Sequence, residues 1–139
     1  MSRRLSIFFL SALLFGAAPA LANEPAAFCR TGQIAVVRLS SLNSAAAGPA
    51  FQKAVADQRA WYRSHGFTAN TIITTPVIAQ DPRTKTWAPS DREVMSLHIN
   101  PPPIDAVKPD AAWRSFVEGF KASSQLTADK TICLEKPLF

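Results

Sequence analysis

No G-x-S-x-G, P-loop, H-E-x-x-H or G-x-G-x-x-G occurs in this 139-residue chain. Those absences remove the hydrolases, phosphate binders, zinc proteases and dinucleotide enzymes that such motifs announce. Histidine is limited to His65 and His98, and cysteine to Cys29 and Cys133. They come from separate stretches, with no C-x-x-C spacing and no third ligand, so neither a metal centre nor a dithiol redox pair is expected. Nor does any motif ask for a cofactor. No run of five or more Lys and Arg appears, which argues against a nucleic-acid partner.

The one long apolar run lies at the start. Arg3 and Arg4 precede Leu5 to Ala18, and Ala20-Leu21-Ala22 forms an A-x-A cleavage signal before Asn23. Residues 1–22 therefore read as a signal peptide, and the run is short for a bilayer span, which takes about 20 residues. An uncleaved membrane anchor is the rival reading. With the address removed, residues 23–139 form one domain's worth of chain, exported to the periplasm or secreted, with no further membrane segment. Without Arg3 and Arg4, thirteen basic residues face ten acidic ones, so the formal charge of +5 falls to +3. In an exported chain, two cysteines near opposite ends are most simply a disulfide, Cys29 to Cys133. By the chain-entropy argument, closing so long a loop contributes at most roughly 4 to 5 kcal/mol.

Hydrophobic periodicity supplies the elements. Gln33 to Leu39 is dense in Val, Ile and Leu and reads as a strand. Gly48 and Pro49 open a helix whose stripe is Phe51, Ala54, Val55, Gln58, Trp61, Tyr62 and His65, and Gly66 stops it. His65, at that helix end, suits a capping role. Thr71 to Ala79 is β-branched and uncharged, hence a strand, with Pro76 marking an edge or bulge. Asp81 to Arg92 reads as a hairpin-like excursion, and Glu93 to Ile99 as a third strand. After the proline-rich Asn100 to Lys108, Asp110 caps a second helix with Trp113, Phe116, Val117 and Phe120 on its stripe. Lys130 to Lys136 closes as a fourth strand. The order βαββαβ predicts an α+β, ferredoxin-like sandwich, a four-stranded antiparallel sheet with two helices on one face. In that topology the first and last strands are antiparallel neighbours, which places Cys29 beside Cys133.

The stretch A-W-Y-R-S-H-G-F-T-A-N-T, Ala60 to Thr71, resembles the NIPSNAP-like and antibiotic-biosynthesis-monooxygenase-like groups of the dimeric α+β barrel superfamily. The resemblance implies a homodimer paired sheet against sheet, with a pocket between the open sheet faces and the helices. No set of family catalytic residues maps onto this chain position by position.

Strand alternation then sorts the candidate site residues. Met95, Leu97 and Ile99, being apolar, are expected to face the helices. That places Ser96, His98 and Asn100 on the open sheet face, joined there by Arg38 from the first strand. A cation and a titratable imidazole on a partly apolar sheet suit a small carboxylate or enolate. Asn100 adds an amide, and Trp87 a stacking surface. Three functions remain open: a domain binding a small organic ligand at a dimer interface through Arg38, His98, Asn100 and Trp87; a cofactor-independent oxygenase or isomerase with His98 as acid or base; or an accessory protein-interaction domain with no small-molecule site.

Overall fold

The structure, a computed structural model, describes residues 25–103 and 106–135; the expected signal peptide lies outside them. A short helix α1 (Pro25–Phe28) is followed by β1 (Gln33–Leu42), a 3-10 turn at Ala45–Ala47, α2 (Gly48–Ser64), β2 (Thr71–Gln80), β3 (Trp87–Ile99), α3 (Ala111–Ser123) and β4 (Ser124–Leu134). The four strands form one antiparallel sheet in the order β2-β3-β1-β4. With α2 and α3 packed together, this is the ferredoxin-like arrangement that the element order implies.

Helix α2 starts as its sequence dictates, with a proline in the first turn. It buries Phe51, Ala54, Val55, Trp61 and Tyr62, spaced to make one face. It ends where Gly66 adopts a φ of 82°, a left-handed conformation that costs glycine little. Asp110 caps α3 through Oδ1, which accepts from the Trp113 N–H at 2.8 Å and from the Trp61 indole N–H at 2.9 Å. The two helices meet closely where Gly119 faces Ala54, since a Cβ at Gly119 would lie 3.2 Å from the alanine methyl. Phe51 and Phe120 pack edge to face across the same seam, 5.3 Å apart. Arg59 fixes α2 to the sheet edge, donating to the Ile72 carbonyl from Nε at 3.0 Å and from an Nη at 2.6 Å.

The core, Leu42, Phe51, Val55, Trp61, Tyr62, Ile72, Val94 and Phe116, lies between the helices and the sheet. Its sheet members decide which way each strand faces. Because Val94 is in that core, Ser96 and His98 also face the helices, and Leu42 does the same for Ser40, Arg38, Val36 and Ile34. Met95, Leu97 and Ile99 face away. This reverses the expected assignment of β3 and β1. The expectation gave the helix side to the more apolar residue set. Here the helices bring the apolar bulk themselves, through Trp61, Tyr62 and Phe116, and the sheet beneath them carries polar groups. The open face is the apolar one, with Val37, Leu39, Ile73 and Leu97 half-buried and Met95 and Ile132 exposed.

Three elements run longer than their sequence implies. β1 extends to Leu42, β3 begins at Trp87 inside the expected excursion, and β4 begins at Ser124, directly after α3. Hydroxyls of Ser123 and Ser124 bond back to the Phe120 carbonyl, closing the helix without a linker. The disulfide Cys29–Cys133 forms, with the Cα atoms 5.3 Å apart, and fastens the segment before β1 to β4. Gly32 lets the two approach, since a Cβ there would lie 2.1 Å from the Leu134 carbonyl oxygen.

Candidate functional site

The antiparallel ladder places Val36 opposite His98 and Arg38 opposite Ser96, so Arg38 and His98 share a face two central strands wide. That face is the one under α2. His98 is only 5% exposed, and its ring centroid lies 5.1 Å from that of Tyr62, the single tyrosine of the chain. Its Nε2 is buried without a hydrogen-bond partner among the described residues. An unmatched buried polar atom costs about 1 to 3 kcal/mol, so a group that paired with this nitrogen would be favoured there.

Burial first, and the Arg38 charge second, push the His98 pKa down to about 4. The ring is therefore neutral at ordinary pH and offers one donor and one acceptor. Burial likewise raises the Tyr62 pKa, against smaller lowering effects of Arg38 and a Gln58 hydrogen bond, so the phenol keeps its proton. Arg38 is paired with Asp129 through a single contact, Nε to Oδ2 at 3.0 Å. Its two Nη groups donate to no protein acceptor among the described residues, and its side chain is 37% exposed. The cluster thus has a buried neutral floor, Tyr62 and His98, and a charged, water-facing edge, Arg38 and Asp129.

The other expected members stand apart. Trp87 is 66% exposed at the far end of β3, eleven residues from His98 along the strand, on the order of 30 Å away. A wide hollow of about 550 Å³ lies by it at the hairpin, walled by Gln80, Asp81, Arg83 and Pro89, and contains none of the cluster. Asn100 ends β3 in a left-handed conformation, φ 49°, and its amide donates to the Ala69 carbonyl at 3.5 Å. It shapes the strand end. Tyr62 and Asp129 are the members that sequence reasoning passed over. Tyr62 read as core, and Asp129 lay one residue before the expected strand, in a stretch whose polarity does not alternate and so gave no signal for it.

His65 is held by structure. It stacks on Trp61 with ring centroids 4.0 Å apart, its Nδ1 lies 2.8 Å from the Trp61 carbonyl, and its Nε2 lies 3.2 Å from Asp110 Oδ2. A carbonyl only accepts, so Nδ1 carries a proton. Ser64 Oγ sits 3.1 Å from that same Nδ1 but donates to the Trp61 carbonyl at 2.9 Å. Serine, histidine and aspartate are adjacent, yet no basic nitrogen faces the hydroxyl, and the set joins two helix ends. Among the described residues no group of three or more His, Cys, Asp or Glu could hold a metal, and no helix is long and apolar enough to cross a membrane.

No protein-family model matches the chain, and no curated protein matches it. Among solved structures, it is similar to SnoaB, a cofactor-independent oxygenase from Streptomyces nogalater. The identity is 10%, covering 77% of this chain and 97% of that one, with a TM-score of 0.46. Residue roles are accordingly read from this chain alone.

Proposed function

We propose that this chain is an exported binding domain that takes a small organic ligand against the helix-side face of its sheet, at Arg38, Tyr62 and His98. One observation carries the reading: the His98 Nε2, buried and unpartnered, beside a cation whose outer edge is open. A ligand group entering from the Arg38 side would supply that nitrogen with its missing partner. Binding is favoured over turnover. An imidazole that stays neutral to about pH 4 is a feeble proton acceptor, and among the described residues no carboxylate bonds to it, so general base catalysis near neutral pH has little to draw on. Export is supported by the basic-apolar-A-x-A start and by the disulfide.

A second surface favours a protein contact. The open sheet face presents Val37, Leu39, Ile73, Met95 and Leu97 side by side, and such a face is covered in most folded assemblies. We assign it to a second copy of the chain, paired sheet to sheet. The dimer interface and the ligand site then lie on opposite faces of the sheet.

The binding reading is tested by screening small organic acids, amides and phenols against the protein by NMR, watching the His98 ring signals. Molecules that shift those signals in the parent, and bind at least tenfold more weakly to His98→Phe, support it. Molecules that bind both proteins equally contradict it.

A further inference from the structure

On the helix side, β1 and β4 carry three matched rows: Ile34 with Cys133, Val36 with Thr131, and Arg38 with Asp129. A cleft of about 330 Å³ opens over the first row, between α1 and β4, lined by Pro25, Phe28, Ile34, Thr131, Ile132 and Cys133. Apolar residues and one threonine make up that lining. Phe28 is 79% exposed, so a phenyl ring stands in water at the wall of an apolar cleft, where an occupant would cover it. The middle row joins the cleft to the polar cluster, because Val36 is the cross-strand neighbour of both Thr131 and His98. Rows two residues apart are separated by about 7 Å, so the span from Ile34 to Arg38 is about 13 Å.

We propose that these rows form one binding surface for an amphipathic organic monocarboxylate, its apolar body in the cleft and its carboxylate on the Nη edge of Arg38. This names the ligand class for the site proposed above and rests on that reading. The head group follows from the arginine. Asp129 holds Nε only, leaving the planar Nη pair, which matches the two oxygens of a carboxylate. Asp129 itself, a fixed anion 3.0 Å from the guanidinium, disfavours a dianion such as phosphate. The body follows from the cleft, whose volume is at the small end for ligand pockets and suits a fused bicyclic ring or a medium acyl chain.

The test uses 2-naphthoate and its uncharged counterpart 2-naphthamide, titrated into the oxidised protein and followed by amide NMR. The expected result is naphthoate binding at least tenfold tighter than naphthamide, with shifts at Ile34 and Thr131 as well as His98. Arg38→Gln should erase the preference and Arg38→Lys retain part of it. Asp129→Asn should strengthen naphthoate, because it removes a competing anion, an outcome that loss of a merely structural ion pair would not give. Phe28→Ser, at an exposed position, should weaken both probes. Naphthoate that shifts His98 but not Ile34 and Thr131 overturns the extended surface and leaves the binding reading standing. Equal affinity for the two probes overturns the carboxylate class. Shifts at none of these residues overturn both.

Discussion

The ring of His98 lies 5.1 Å from the ring of Tyr62, tilted by 56°, at the seam between the sheet and α2. This contact fixes which face of β3 looks toward the helices. It also accounts for the neutral imidazole, since the tyrosine helps exclude the water that would stabilise a charge.

The first expectation concerns acid. His98 has a folded pKa of about 4, below the 6.5 of a free histidine, so between these values the unfolded chain binds the extra proton. Stability should be fully expressed above about pH 6.5 and fall as pH drops toward 4, by up to about 3 kcal/mol from this residue. Denaturant titrations of the parent and His98→Phe over that range should show the histidine-dependent slope only in the parent.

Gly32→Ala places a methyl where Leu134 carbonyl oxygen would be 2.1 Å away and Cys133 Sγ 3.0 Å away. Backbone has to move at the point where the disulfide closes. Loss of about 2 kcal/mol or more is expected, with slower thiol disappearance during oxidative refolding. A variant with parental stability would mean that β4 does not lie so close.

Asp110 accepts from Trp113 N–H and Trp61 Nε1 and faces His65, and those hydrogen bonds, the backbone one foremost, hold its carboxyl below the usual range. Asp110→Ala removes the cap and both side-chain ties, and should lower the melting temperature clearly. Asp110→Asn retains a capping oxygen and should lower it less. Equal losses would assign the whole effect to charge.

Self-association through the open face predicts that dilution dissociates the protein, followed by light scattering. Leu97→Lys, a half-buried position on that face, should give a monomer with unchanged helix content. A dimer that survives the substitution would place the interface elsewhere.

Much of this fold is legible in the sequence because its cues are local. Gly66 with its positive φ and Asp110 before its stripe each state their structural role within a few residues, while the Cys29–Cys133 pair was readable because the chain holds no other cysteine. The start of β4 is not legible. Gln125 to Thr131 is exposed throughout, and an edge strand open on both sides imposes no alternation of polarity. Facing fails for a related reason. Met95, Leu97 and Ile99 form as good a core stripe as Val94, Ser96 and His98 fail to form, and local pattern cannot say that the helices already bring Trp61 and Phe116. The site inherits that error: Arg38 and His98 do share a face, but Tyr62 joins them, whereas Trp87 lies at the other end of the strand and Asn100 is spent on the turn.

The most direct measurement is a nitrogen-detected NMR titration of the His98 imidazole from pH 3.5 to 8, with and without 2-naphthoate. The expected result is a neutral imidazole through the neutral and mildly acidic range, protonating only with a midpoint of about 4, and a change at Nε2 when the carboxylate is added. Ordinary titration near pH 6.5 with no response to the ligand would contradict it, and would return His98 to a solvated surface.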